Sequence, residues 1–180
     1  MDINNPFYIE VLESLNKNNV EFILVGGLAV AYYGYHRYTG DMDLWLKPSV
    51  TNLNNLYKAL EDDLRFDKES IEQIKKLRDI ENPTPIRLLS DDNVLSVDLM
   101  TNTFQKLFTW EECYKNSNLI QLEYIKVPVV HIKHLITIKE NTQRLDNSLK
   151  DLADAEELKK IMKIKKGGFP SSNPPDEDYH

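Results

Sequence analysis

The spacing of apolar residues divides the first part of the chain into alternating helices and strands. An amphipathic pattern around residues 9–15 predicts a first helix, and the apolar run at 20–25 predicts a buried strand. Gly26-Gly27 ends this strand, and a short apolar helix is expected over 28–33. A second strand is predicted over 41–47, so the chain opens with the order helix, strand, helix, strand.

The same alternation continues to about residue 166. The remaining predicted elements are helices over 50–64 and 70–80, a break at 82–85, strands over 86–89 and 94–100 joined by a hairpin turn at 90–93, a helix over 104–114, short edge strands over 119–124 and 127–131, and helices from 132 onward. Ser49 is expected to cap the first of these helices. In the last helix the expected inner stripe consists of Leu149, Leu152, Ala155, Leu158 and Ile161.

These elements predict an α/β (α+β) fold with a central mixed β-sheet of about four or five strands, flanked by helices. A C-terminal pair of helices is expected to close a cleft. We predict a single domain over residues 1–166, with a core at about 20–131 and C-terminal helices at about 132–166. Residues 167–180 are rich in glycine, proline and acidic residues and are expected to form a disordered tail.

Composition narrows the classes of function. A formal net charge of −7 gives no global field that would attract a polyanion, which argues against general nucleic-acid binding. The single cysteine, Cys113, excludes a disulfide framework and a thiolate zinc cluster, and suits a reducing cytoplasm. The chain shows no signal-peptide pattern and no apolar run long enough to cross a membrane, so a cytoplasmic protein is expected.

Three aspartates stand out on the predicted strands. Alternation along 41–47 places Asp41 and Asp43 on one face, because successive side chains of a strand point to opposite faces. Asp98 is the charge on the polar face of the strand 94–100, whose other face is apolar. If the two strands are neighbours, three carboxylates meet, and a hard cation such as Mg²⁺ would relieve their repulsion. In outline this is a two-metal site for phosphoryl transfer.

A second element of chemistry is the turn Val25-Gly26-Gly27-Leu28, where a strand runs through two glycines into a helix. Backbone N–H groups at such a turn can receive a phosphate. Diglycine turns also serve plain packing, so the turn alone is a weak signal. Its meaning depends on the aspartates downstream.

Together the pattern Gly26-Gly27, then Arg37-x-Thr39-x-Asp41-x-Asp43, then Asp98 on a strand resembles the DNA polymerase beta type nucleotidyltransferase superfamily. It is most similar to the small bacterial members of the abortive-infection type and the minimal nucleotidyltransferases of toxin–antitoxin pairs. The resemblance covers about residues 20–100. Less specifically, it extends to Lys139 and to Lys150-Asp151-x-x-Asp154.

The resemblance implies a nucleotidyltransferase fold and transfer of a nucleoside monophosphate from a nucleoside triphosphate to a hydroxyl. It also implies two Mg²⁺ ions held by Asp41, Asp43 and Asp98, with Asp98 helping to activate the hydroxyl. The predicted nucleotide-binding residues are Gly26, Gly27, Arg37, Thr39 and Lys139. Many active members carry Gly-Ser where this chain has Gly26-Gly27. Arg144, Lys150 and Asp154 are expected in solvated pairs on the helix surface.

The sequence leaves the acceptor and the biological role open. A small molecule, a protein hydroxyl and an RNA end are all acceptors to consider. A non-catalytic or antitoxin-like subunit, which uses the fold to bind a partner toxin, is the alternative from a different class. A toxin role is the third.

Overall fold

The computed structural model describes residues 3–77, 85–101, 104, 106–122, 124–141 and 148–166. These parts of the chain contain seven helices and six strands. In chain order they are α1 (Pro6–Lys17), β1 (Phe22–Val25), α2 (Gly26–Tyr32), β2 (Asp41–Leu46), α3 (Val50–Asp62), α4 (Lys68–Leu77), β3 (Ile86–Leu89), β4 (Ser96–Met100), α5 (Trp110–Lys115), β5 (Asn118–Leu122), β6 (Ile125–Val129), α6 (Ile132–Glu140) and α7 (Ser148–Lys166). The predicted α/β class is confirmed.

The strands form one mixed sheet in the order β3-β4-β2-β1-β6-β5. Strand β2 lies between β1, to which it is antiparallel, and β4, to which it is parallel. The predicted mixed sheet is therefore correct, but it has six strands rather than four or five. The segment 127–131 was expected at an edge, whereas β6 lies inside the sheet because it pairs with β1 through Leu24 and Val129.

The middle of the sheet is covered on both faces. All four residues of β1 are buried, and so are Met42, Leu44, Trp45 and Leu46 of β2. A strand that is apolar on both faces reads as a continuous hydrophobic run, as 22–25 does. Two indole hydrogen bonds brace this core, from Trp45 to the carbonyl of Thr101 (2.8 Å) and from Trp110 to the carbonyl of Trp45 (3.0 Å). These bonds tie β2 to Thr101, which directly follows β4, and to Trp110.

Side-chain caps fix where two helices begin. The hydroxyl of Ser49 accepts from the backbone N–H of Asn52 (3.2 Å), which confirms the predicted cap of α3. The helix expected over 104–114 is shorter, because Thr109 is extended and its hydroxyl accepts from the N–H of Glu112 (3.2 Å). Helix α5 therefore starts at Trp110.

Helix α7 presents a different face from the one its apolar residues predict. Leu149 and Leu152 were expected in the inner stripe but are 82% and 47% exposed, respectively. The buried positions are instead Asp151, Asp154, Ala155 and Leu158. Their spacing of three, one and three is that of one helix face. The rotation occurs because the two aspartates bind cations from other parts of the molecule, Arg37 and Lys139.

Some predictions fall outside the described residues. These are the tail 167–180, the end of the predicted helix at 78–80, most of the break at 82–85, and Arg144. The domain boundary at residue 166 stays a prediction. None of the helices in the described ranges combines the length and hydropathy needed to span a membrane.

Candidate metal and nucleotide site

The three predicted aspartates meet on one face of the sheet, on the neighbouring strands β2 and β4. Because β2 and β4 are parallel neighbours with Asp43 opposite Asp98, these two side chains share a face. Asp41 lies two residues before Asp43 and so points the same way. One carboxylate oxygen from each residue lies within 4.8 Å of the others. We call Asp41, Asp43 and Asp98 the aspartate cluster.

The glycine turn lies directly beside this cluster. Val25, the last residue of β1, pairs with Asp43, and Gly26 follows with a φ of +65°. A Cβ on Gly26 would come within 1.8 Å of Oδ2 of Asp43. Both the left-handed backbone and the close carboxylate therefore require glycine at this position.

Thr39 joins the second glycine to the cluster. The Thr39 side chain is buried, and its hydroxyl donates to Oδ1 of Asp41 at 2.6 Å. A Cβ on Gly27 would lie 2.5 Å from the same hydroxyl oxygen and 2.9 Å from the Cβ of Thr39. Thr39 thus fills the space that a serine side chain at position 27 would need. The departure from Gly-Ser has a steric reason in this chain.

Arg87 is a residue of the site that the sequence interpretation did not select. It lies opposite Asp98 in the antiparallel pair β3–β4. Its Nε donates to Oδ1 of Asp98 (2.7 Å) and its Nη2 to Oδ2 (2.6 Å). This hydrogen bond, followed by the charges of Asp98, Asp41 and Asp43, raises the pKa of Arg87. The guanidinium therefore stays protonated and places a positive charge beside the aspartate cluster.

A group of four charged residues joins the loop before β2 to the C-terminal helices. We call Arg37, Lys139, Asp151 and Asp154 the buried charge cluster. Arg37 donates to both carboxylate oxygens of Asp154 at 2.6 Å, through Nε and Nη2. The ammonium of Lys139 contacts Asp151 and lies 3.0 Å from Asp154. Asp154 is fully buried, so the prediction that it forms a solvated helix pair is wrong.

Two residues that were predicted to bind the nucleotide belong to this buried charge cluster. Arg37 and Lys139 both donate to aspartates of α7, and their part in nucleotide binding stays a prediction. Burial alone would raise the pKa of Asp154, but the hydrogen bond from Arg37 and the charge of Lys139 outweigh it, so this pKa is lowered. Asp154 is therefore an anion that holds both cations in place.

The donor set of the aspartate cluster fits a hard divalent cation. Mg²⁺ prefers carboxylate oxygens, and each of the three residues offers at least one. Gly26 has no Cβ that would clash with the Asp43 carboxylate, and Thr39 orients that of Asp41. The cluster also lies next to a turn where two glycines leave the backbone without side chains. The residues present are thus compatible with a metal ion and a phosphate group side by side.

A mixed sheet that brings a Gly-Gly turn and three aspartates together is the fold of a nucleotidyltransferase. Over residues 4–167 the chain matches the family described as "Nucleotidyl transferase of unknown function (DUF2204)", and it belongs to this family. The superfamily assignment from the sequence is thereby confirmed. No curated protein matches the chain in sequence.

The chain is also similar to solved structures. An antigenic nucleotidyltransferase-like protein from Paracoccidioides brasiliensis superposes with a TM-score of 0.50 at 13% identity, covering 82% of this chain and 71% of that chain. "A putative nucleotidyltransferase" from Thermotoga maritima gives a TM-score of 0.49 at 15% identity, covering 88% of this chain and 94% of that chain. At 13% identity the similarity to the Paracoccidioides brasiliensis protein concerns the fold alone.

Proposed function

We propose that this protein transfers a nucleoside monophosphate from a nucleoside triphosphate to a hydroxyl acceptor, with Mg²⁺ held by the aspartate cluster. The observation that carries the proposal is the convergence of one oxygen each from Asp41, Asp43 and Asp98 within 4.8 Å, at the end of the Gly-Gly turn. Membership of a nucleotidyl transferase family supports it. The cytoplasm would supply both Mg²⁺ and the nucleotide.

In the proposed reaction the acceptor oxygen forms a bond to the α-phosphorus. The bond from that phosphorus to the bridging oxygen breaks, and pyrophosphate leaves. Two bound Mg²⁺ ions would supply neutralisation of the charge that develops on the phosphate oxygens. Among the protein's own groups, the carboxylate of Asp98 would take the proton of the hydroxyl.

The other residues of the site have supporting roles in this proposal. The backbone at Gly26 and Gly27 would receive phosphate oxygens, since neither carries a side chain that would block the approach. Thr39 would keep the Asp41 carboxylate in one orientation through its 2.6 Å hydrogen bond. Arg37 and Lys139 would add positive charge near the phosphates, although each is already paired with an aspartate of α7.

The test is transfer of label from α-³²P nucleoside triphosphates. The purified protein is incubated with Mg²⁺ and each nucleotide in turn, in a lysate of the host, and RNA, protein and small molecules are separated. We expect the wild type to add label to one of these classes above the level of the lysate alone, and Asp43→Asn to add none. Asp62→Asn, which removes a carboxylate from the exposed end of α3, is the matched control and should retain the activity.

The separated fractions also identify the acceptor. Label on RNA, on a protein or on a small molecule would each support transfer and name the acceptor class. If no nucleotide gives more label than the lysate alone, while circular dichroism shows that the added protein is folded, the enzymatic proposal is overturned. The antitoxin-like binding role would then be favoured, and pull-down of a partner by both the wild type and Asp43→Asn would support that role.

A further inference from the structure

The Arg87–Asp98 pair uses the carboxylate that the proposed metal centre also needs. The forked guanidinium contacts both oxygens of Asp98, at 2.7 and 2.6 Å. Bidentate pairing of this kind is among the stronger charge-assisted interactions in proteins. A divalent cation bound through Asp98 would therefore take an oxygen that Arg87 already contacts.

A cation at this position and the guanidinium would also repel each other. Both carry positive charge, and both would approach the same carboxylate, which is largely shielded from water: the side chain of Asp98 is only 11% exposed. Coulomb interactions are stronger in such partly buried surroundings than in bulk water. A bound metal would therefore weaken the Arg87–Asp98 pair, and the pair would weaken metal binding.

The two partners differ in their freedom to move. Arg87 lies on β3, the edge strand of the sheet, and its side chain is 61% exposed. Asp98 lies on β4, between two strands. The guanidinium can turn into solvent with little loss of packing, whereas the carboxylate is held by its strand. When the pair opens, Arg87 is the partner that leaves.

We propose that Arg87 is an internal counter-ion that competes with the divalent metal for Asp98, neutralising the aspartate cluster without metal and leaving when metal binds. This inference rests on the proposed metal centre. It assigns Arg87 an indirect role that acts through Asp98: the residue sets the metal concentration at which the site fills. Release of the fork also returns to Asp98 an oxygen that can take the acceptor's proton.

Competition has a consequence opposite in sign to that of a purely structural pair. If Arg87 only held Asp98 in place, Arg87→Gln would loosen a ligand and weaken metal binding. If Arg87 competes, the same change removes a competitor and a positive charge, and metal binding becomes tighter. Coupling free energies in proteins typically change an affinity by about 5- to 150-fold, and we expect a gain of about tenfold here. Arg87→Lys keeps the charge but loses the fork, and should fall between the two.

The experiment is a titration with Mn²⁺, followed by the electron paramagnetic resonance signal of the free ion. The wild type, Arg87→Gln, Arg87→Lys and Asp43→Asn are compared, with Lys75→Gln as control. The Lys75→Gln change also removes one positive charge from an ion pair. This pair joins Lys75 to Glu72 on α4 and contains no residue of the aspartate cluster. Thermal unfolding provides a second measurement: without metal, Arg87→Gln should melt below the wild type, and Mn²⁺ should raise its melting temperature by more.

The outcomes separate this inference from the proposed function. Tighter Mn²⁺ binding by Arg87→Gln, with binding lost in Asp43→Asn and unchanged in Lys75→Gln, supports competition. Equal or weaker binding by Arg87→Gln, with binding still dependent on Asp43, overturns the role of Arg87 and leaves the metal centre standing. Absence of Mn²⁺ binding in both the wild type and Arg87→Gln overturns the metal centre itself.

Discussion

Arg37 donates both arms of its guanidinium fork to Asp154, although the two residues are 117 positions apart. Arg37 lies in the loop that leads to Asp41, and it also donates to the carbonyl of Tyr38 at 3.0 Å. Asp154 lies on α7 and holds Lys139 of α6 as well. The C-terminal helices are thus tied through charge to the segment that carries the aspartate cluster.

We predict that Asp154→Asn lowers the free energy of unfolding by about 3 kcal/mol, the usual cost of breaking a buried ion pair. The change removes the negative charge that pairs with Arg37 and Lys139, at a position where the side chain of residue 154 is fully buried. Urea unfolding measures the effect. Glu157→Gln is the control on the same helix, because its pair with Lys160 is exposed and should contribute little to stability. Equal losses in the two variants would contradict the prediction.

The same aspartate should make stability depend on pH. Its pKa lies below the ordinary value of 3.8 in the folded protein, because Arg37 and Lys139 outweigh the effect of burial. A carboxylate of this kind stabilises the fold above the unfolded pKa, and this contribution is lost as the pH falls through the folded pKa.

We therefore expect the stabilities of the wild type and Asp154→Asn to differ at pH 7 and to converge on acidification below about pH 4. Urea midpoints measured from pH 7 to pH 3 test this. Three other aspartates with lowered pKa values affect both proteins alike, so the difference isolates Asp154; they are Asp63, Asp67 and Asp92. A difference that is constant down to pH 3 would contradict the assignment.

Local patterns predicted the strands that carry the cluster. The segments 41–47 and 94–100 are close to the observed β2 and β4, and alternation placed each aspartate on its correct face. The sequence could not show that the strands are neighbours. That relation depends on a crossover through α3, α4 and β3, and the register Asp43 to Asp98 is fixed by tertiary packing.

Arg87 was missed for a reason of register. A hairpin with a turn only at 90–93 would pair Leu89 with Val94 and place Arg87 opposite Ser96. In the structure the connection includes Val94 and Leu95, Asn93 has a φ of +56°, and Leu89 pairs with Ser96. This shift of two residues brings Arg87 opposite Asp98. Such a loop length is a matter of turn geometry that the composition of 90–93 does not specify.

The buried charge cluster was hidden by the usual rule that apolar residues mark the inner face of a helix. In α7 two aspartates take inner positions, and two leucines are exposed. A buried carboxylate is tolerated only with a partner, and here Lys139 lies 12 residues from Asp151 and Arg37 lies 117 residues from Asp154. The motif Lys150-Asp151-x-x-Asp154 was the one signal available, and it entered the interpretation only through resemblance.

Gly26→Ala should disturb the site more than the fold. The left-handed φ of +65° costs an alanine about 1–2 kcal/mol, and the new Cβ would displace the carboxylate of Asp43. We expect Mn²⁺ affinity and nucleotidyl transfer to fall at least tenfold. Gly34→Ala is the matched control: its φ is +112°, but a Cβ there meets no atom within 4 Å among the described residues. It should lose stability and retain Mn²⁺ affinity, and equal losses of affinity would contradict the steric argument.

The steric reason for Gly27 can be tested by a double-mutant cycle with Thr39. Gly27 lies within α2, where alanine would favour the helix by about 1 kcal/mol if space allowed. A Cβ at 2.5 Å from the Thr39 hydroxyl oxygen instead predicts that Gly27→Ala destabilises the protein.

In the double variant Gly27→Ala/Thr39→Gly the obstructing atoms are absent. Its loss of unfolding free energy should therefore be smaller than the sum of the two single losses, by about 1–2 kcal/mol. Urea unfolding of the four proteins gives this coupling energy. Activity should not recover, because the double variant also lacks the hydroxyl that donates to Oδ1 of Asp41. Strictly additive losses would show that contact with Thr39 is not what requires glycine at position 27.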